Sequence, residues 1–288
     1  MHHVNWQWKN YLITFLFLVG IVISGLDTHF SLQAFGEPST LKAMNRFAGG
    51  LWPPELEQQF LLSIGKLLLE TVEISLLATT LAIILAMPLS VASMRPRGEE
   101  FSRKIIGSPQ WAARWAIYYL SRSILALLRG VPELMWALLF VVAVGLGPFP
   151  GVLALTAHSI GILGKLYAEI FESVDYRLIE MGRVTGANEL QVLAFIRFPV
   201  TLPVFLSYTL FRLECNMRSA TVLGFVGAGG IGTQLMISMK LYMYQEVATL
   251  VIAIFLLVIA VELIGQYLRT YLLDRPQNLI NSYQIIKK

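Results

Sequence analysis

The 288-residue chain is 56% hydrophobic and only 14% charged, with a mean hydropathy of +0.65, whereas a soluble domain is about 45–50% apolar and about 25% charged; this argues against a soluble two-domain protein and for a membrane protein. The single Cys215 excludes an intrachain disulfide and a cysteine-cluster metal site, and the histidines His2, His3, His29 and His158 are too scattered for a metal cage. The net charge of +4 could point to nucleic acid, but in a membrane chain basic residues mark the cytoplasmic side.

Uncharged runs predict spans at about 10–26 and 72–94, each long enough at about 1.5 Å per residue for a hydrocarbon core of about 30 Å. The first follows Lys9 like a signal peptide, yet no cleavage pattern follows, and an uncleaved anchor is the better reading. An external loop, 27–62, carries no motif. Arg95-Pro96-Arg97-Gly98 is a polar turn opening a cytoplasmic amphipathic segment, 95–129, whose Trp111, Trp115, Tyr118 and Tyr119 suit either a membrane interface or ordinary packing. The run from Leu134 to Gly164 is broken by Gly145-Leu146-Gly147-Pro148-Phe149-Pro150-Gly151 into a helical hairpin, spans 130–146 and 151–169. Spans at 199–216 and 246–268 complete six and put both termini on one side.

The N-terminus, the 95–129 segment, the 165–197 segment and the C-terminal tail hold 16 of the 22 Lys and Arg residues. Lys42, Arg46, Lys66 and Lys240 fall on the other side, so the positive-inside rule places both termini in the cytoplasm. The basic balance is then explained without nucleic acid. The expectation is an all-α integral membrane protein, one transmembrane domain over residues 1–288.

The loop 172–198, "ESVDYRLIEMGRVTGANELQVLAFIRF", sets Glu180 six residues before Gly186, with Arg183, Ala187 and Asn188 around the glycine and Ile196 and Pro199 beyond. Two short helices meeting at a glycine make a compact projection, since glycine accepts backbone conformations other residues resist. This loop resembles the signature loop of ABC-importer permeases, although it reads Glu180-Met181-Gly182 where the family has Glu-Ala-Ala, and Phe198 where leucine is usual. The resemblance implies the type I, methionine-importer-permease-like fold with a cytoplasmic coupling loop. Longer stretches, "LLRGVPELMWALLFVVAVGLGPFPGVLAL", "HSIGILGKLYAEIFESVD" and "FLSYTLFRLECNMRSATVLGFVGAGGIG", are similar to permeases of phosphonate, phosphite and related phosphorus-oxyanion importers. That family implies a second permease copy, two cytoplasmic ATPase subunits holding ATP and Mg on the coupling loops, and an external binding protein that delivers substrate. The chain itself is then no enzyme and holds no cofactor or metal, and it contains no GxxxxGK[ST] run.

Arg212, Glu214, Asn216 and Arg218 fall at the outer end of the fifth predicted span. Polar groups there are expensive if they face lipid, which makes them candidates for a translocation pathway; an arginine fork matches the oxygens of a phosphonate. Glu214 and Arg218 could instead neutralise each other at i,i+4. His158 could line the path or bond a neighbouring helix. Arg129 and Glu133, flanking Val131-Pro132, read as a structural clasp.

Gly227-x-Gly229-x-x-Gly232 matches a dinucleotide fingerprint by letter, but no acid stands about 20 residues beyond and no strand-helix alternation surrounds it. In the same letters Ala220, Gly224, Ala228 and Gly232 recur every four residues, the small-residue spacing of close-packed membrane helices. The expectation is a bent, tightly packed element over 219–240 near the external mouth, a gate or dimer contact turning at Gly229, Gly230 and Ile231. Permeases of this fold for methionine or an inorganic anion, an ion-gradient-driven secondary transporter, and a membrane-bound oxidoreductase are the alternatives.

Overall fold

The computed structural model describes residues 4–28, 36–96 and 109–286, without side chains for 4–7 and 272–286. Arg97, Arg103, Lys104, Lys287, Lys288 and the histidines His2, His3 and His29 lie outside the described residues. The chain divides into two compact units, 1–53 and 54–288. In the first, α1 (Val4–Asp27) carries the apolar run of the first predicted span, and its apolar side chains are exposed. Part of the expected external loop is helical: α2 (Pro38–Gly50) starts on a proline, whose fixed φ suits a first helical turn and whose missing N–H costs nothing there.

The second unit opens with α3 (Gln58–Ala92), 35 residues and about 52 Å long. It starts well before residue 72 because nothing between Gln58 and Val72 breaks a helix. Then come α4 (Pro109–Gly130) and α5 (Glu133–Val144), bent by 89° at Val131-Pro132. Pro132 cannot donate into the ladder and disfavours helical backbone at Val131. The third predicted span is thus a 12-residue helix of about 18 Å, too short to cross alone. Five helical stretches are long and apolar enough to cross a membrane, or six if the bent pair is one span, among the described residues.

Gly145 and Gly147, at φ +106° and +134°, turn the chain into α6 (Pro148–Glu172). This helix starts earlier than residue 151, on Pro148. Beyond it come α7 (Tyr176–Val184), the single turn α8 (Glu189–Val192) running through a π-helical turn (Leu193–Arg197) into α9 (Phe198–Leu223), a 3-10 turn (Gly224–Val226), α10 (Ile231–Lys240) and α11 (Tyr244–Ile286). No strand occurs among the described residues.

The core is built around α6, which packs on α3, α4, α5 and α9. One cluster joins Ile74, Ala78, Val152, Leu155, Ala220 and Leu223; another joins Ala82, Ala86, Leu125, Leu163, Tyr167 and Phe205. In α3, Ala78, Ala82 and Ala86 are fully buried one turn apart, so small side chains let the helices approach where lipid offers no hydrophobic drive. Tyr167 stacks on Phe205 with ring centroids 3.7 Å apart, and its hydroxyl lies 2.7 Å from that of Thr209. At Gly161 a β-carbon would meet the Arg129 backbone nitrogen and lie 2.9 Å from the Leu125 carbonyl oxygen, so α4 crosses α6 in near backbone contact.

Gly161→Val should therefore lower the thermal midpoint of the detergent-purified protein through an overpacking cost of about 1–3 kcal/mol. Gly65→Ala, whose added carbon meets nothing within 4 Å, should leave it unchanged or raise it. Equal midpoints for the two variants in scanning fluorimetry would contradict this packing.

Candidate functional site

The glycine-rich element is a turn locked to two other helices. Gly227, Gly229 and Gly230 adopt φ of +82°, +83° and +72°, a region that only glycine visits freely. The Gly227 carbonyl accepts from Gly147 N–H at 2.9 Å, tying the turn to the α5–α6 hairpin. Glu70 Oε1 accepts from Gly230 N–H and Thr71 Oγ1 from Ile231 N–H, both at 3.0 Å, so α3 caps the start of α10, where orphan N–H groups and the helix dipole favour a carboxylate. The turn lies at 227–230, and Ile231 is already the first, fully buried residue of α10. The four-residue stripe does not form one helix face: Gly224 and Gly232 meet across the turn, Gly232 also touches the Thr221 carbonyl, and Ala228 faces Gly151. The helix breaks at Leu223, so small residues spaced for one face fold back on each other instead.

The polar residues of α9 separate into three settings. Because α9 continues past Asn216 to Leu223, they lie inside the helix rather than at its end. Arg212 and Asn216 belong to a buried chain: Arg212 Nε donates to Ser159 Oγ (2.9 Å), Ser159 to Asn216 Oδ1 (3.0 Å), Asn216 Nδ2 to Thr79 Oγ1 (2.8 Å), and Thr79 to the Ser75 carbonyl (2.7 Å). These bonds fasten α3, α6 and α9 at their centre, and Arg212 Nη2 lies buried beside them with no hydrogen-bond partner among the described residues. Glu214 does not pair with Arg218; it accepts from Arg269 Nη2 of α11 at 2.7 Å. Gly265, where any side chain would collide with the Glu214 carboxylate, lets that carboxylate reach α11.

Arg218 stays exposed and donates weakly to Cys215 Sγ at 3.7 Å. It lines a cleft of about 540 Å³ together with Arg129, Glu133, His158, Ser219 and Val222. Arg129 and Glu133 form no ion pair with each other: the bend at Pro132 places them on different helices although they are four residues apart. Glu133 instead accepts from Ser219 Oγ at 2.5 Å and faces His158 Nε2 at 3.2 Å, while His158 Nδ1 lies 3.1 Å from the Val131 carbonyl oxygen. A carbonyl only accepts, so this contact fits an imidazole that carries its hydrogen on Nδ1.

The loop after α6 is two short helices meeting at a glycine, as its spacing implies. Asp175 caps α7 by accepting from Arg177 N–H at 2.9 Å, and Asn188 with Gln191 forms a capping box on α8. Between them Gly186 has φ +86°. Val174, Ile179 and Val192 bury a small core beneath, against which Ala187 packs, and Arg183 is bound within the loop to Glu189 at 2.9 Å. Glu180 is exposed, as are Met181, Val184, Leu190 and Phe195. Arg122, bonded to the Ser93 carbonyl and Glu172, and Arg197, bonded to the Phe171 carbonyl, tie the base of the loop to the ends of α3 and α6.

Sequence reading missed Thr79, Glu70, Thr71 and Arg269. Thr71, Ser75 and Thr79, one turn apart in an otherwise apolar run, were the available signal for the first and third of these; hydroxyls at that spacing mark a polar stripe between membrane helices.

The sequence profile of the family described as "binding-protein-dependent transport system inner membrane component" matches residues 108–277. The chain is similar to a phosphite transport system permease protein of Stutzerimonas stutzeri, 35% identical over 231 residues, 80% of this chain and 78% of that one. It is also similar to a phosphate-import permease protein of Mycolicibacterium smegmatis, 35% identical over 222 residues, 77% of this chain and 39% of that one. Among solved structures, an inward-facing MetNI methionine ABC transporter chain shares the fold with a TM-score of 0.61, covering 75% of this chain and 99% of that chain at 17% identity. The helical fold and these similarities show that the chain belongs to the binding-protein-dependent inner membrane component family and is a permease subunit of an ABC importer.

Proposed function

We propose that this permease carries a phosphorus oxyanion, whether phosphonate, phosphite or phosphate, across the bacterial cytoplasmic membrane with both termini in the cytoplasm. An external binding protein delivers the substrate. Two permease copies pair, and two ATPase chains, which bind ATP and Mg, dock on the 172–198 loops. The observation that carries this reading is the loop itself: Glu180 and an apolar surface of Met181, Val184, Leu190 and Phe195 are exposed on a small capped fold, the combination a soluble partner can grip. The substrate class rests on the phosphite and phosphate permeases to which most of the chain is similar.

Within this reading the polar residues divide by setting. Arg218 and His158 face the translocation pathway, Arg212 and Asn216 hold its wall together, and Glu214 fastens α9 to α11. Glu180, Gly186, Ala187 and Asn188 serve motor coupling, with Arg183 shaping the loop from within. The turn at Gly227–Gly230, flanked by Ala220, Gly224, Ile231 and Gly232, acts as the external gate.

Reconstitution with the cognate ATPase and binding protein should show ATP hydrolysis stimulated by a phosphorus oxyanion; stimulation by methionine alone would reassign the substrate. Glu180→Lys and Gly186→Val should each cut uptake at least about tenfold, the loss of roughly one charge-assisted contact, with membrane insertion and helicity unchanged. Normal uptake and stimulated hydrolysis in Glu180→Lys would remove the coupling role. At the turn, Glu70→Ala should slow uptake severalfold because the Gly230 N–H loses its acceptor, while Glu70→Gln, whose amide oxygen can still accept, should retain most of it. Equal uptake in all three proteins would show that the cap plays no part in the cycle.

A further inference from the structure

Charge in the cleft between α4, α5, α6 and α9 is unevenly settled. Glu133, its one carboxylate, is already engaged by Ser219 and His158. That leaves Arg129, in the last turn of α4, and Arg218, in the interior of α9, both exposed on the cleft wall and without an acidic partner among the described residues. The only hydrogen bond of the Arg218 side chain among the described residues goes to a sulfur, 3.7 Å away. A guanidinium at the depth of a membrane helix is expensive unless it meets a counter-charge or water. Of the other charges carried by α9, Glu214 has Arg269, while Arg212 is buried away from this cleft's lining, bonded through Nε to Ser159 and with Nη2 unpartnered among the described residues. Two forked cations facing one space of about 540 Å³, within the range of small-ligand sites, are matched by a small tetrahedral oxyanion, whose oxygens accept from a planar fork in pairs.

We infer that Arg129 and Arg218 form an oxyanion-receiving subsite in the permease, which attracts phosphite or phosphate released above it, with the Glu133–His158–Ser219 clasp forming part of its wall. The inference rests on the reading of the chain as a phosphorus-oxyanion importer and adds a charge filter in the membrane subunit to the selection made by the binding protein.

The test reads the potential in the cleft directly. In the assembled importer carrying Cys215→Ser, a Val222→Cys reporter on the cleft wall is labelled with anionic and cationic methanethiosulfonates of similar size, and the products on this chain are quantified by mass. The anionic reagent should react about tenfold faster than the cationic one, as a focused positive potential of a few kT requires. Phosphite or phosphate should slow its reaction. Arg129→Gln with Arg218→Gln should bring the ratio near one and abolish protection, and each single Gln variant should give a partial effect should the pair not assemble. Arg129→Lys with Arg218→Lys should keep the ratio, because charge is retained, while protection weakens with the loss of the fork. A ratio near one in the parent, or one indifferent to both Gln substitutions, overturns the subsite even if the importer carries phosphite. A strong anionic preference in an importer that no phosphorus oxyanion stimulates would instead overturn the substrate class.

Discussion

Every charge brought to membrane depth has to be matched by protein or wetted by water, and the helix bundle is arranged around that requirement. Glu214 meets Arg269, Glu133 meets His158 and Ser219, and Asn216 spends both ends of its amide on Ser159 and Thr79. These contacts join helices distant in sequence, so the same groups that would be costly in lipid fix which helix lies beside which. A buried chain of directed hydrogen bonds specifies a partner and a register, which apolar packing among alanines does poorly. The groups left unmatched then mark where the structure is open to water.

Irregular backbone obeys the same rule. The chain leaves helical geometry at Val131-Pro132, at Gly145–Gly147 and at Gly224–Gly230, and polar backbone freed at such breaks is tolerated at depth only where protein covers it. The second and third breaks cover each other through the Gly147 N–H to Gly227 carbonyl bond, and Glu70 and Thr71 cap the helix start that follows. The glycines supply left-handed backbone at three points, and α3 supplies acceptors that a purely apolar helix would lack. Letters that resemble a nucleotide cradle thus make a compact turn whose Gly230 and Ile231 N–H groups are occupied by Glu70 and Thr71, and whose Gly227 and Ala228 N–H groups bond to backbone carbonyls.

Features governed by local chemistry were legible in the sequence. The helical hairpin turn and the two-helix loop around Gly186 follow from proline and glycine positions and from capping residues within a few places of each other, whereas the bend at Pro132 falls inside what reads as one span, 130–146. Pairings governed by long-range packing were not. The acid four residues before Arg218 lies on the same helix yet pairs with Arg269, 55 residues away, because Gly265 admits its carboxylate to α11. The acid four residues after Arg129 lies beyond an 89° bend and finds His158 instead. Spacing predicts a partner only where the helix is continuous and no neighbour offers a closer one. The helix over Pro38–Gly50 buries no side chain in the structure, but Leu41, Met44 and Phe47 recur three residues apart, a helical spacing that was available in the sequence and not read.

Two long helices connect the opposite ends of the bundle. One end of α6 is bonded to the glycine turn through Gly147, and its other end to Arg197 through the Phe171 carbonyl. Arg197 precedes α9, which runs back to the same glycine turn. The 172–198 loop and the glycine turn are thus the two ends of one closed frame of α6 and α9, about 37–39 Å long at 1.5 Å per residue and cross-braced midway by the Ser159–Asn216 bond. A stiff frame cannot shift at one end alone, since packed helices move as rigid bodies about their contacts. The cleft that holds Arg129 and Arg218 opens on the side of this frame, with His158 on α6 and Ser219 on α9 joined through Glu133. Motion of the loop therefore reaches the turn and the cleft through the same two helices, and needs no separate relay of side chains between them.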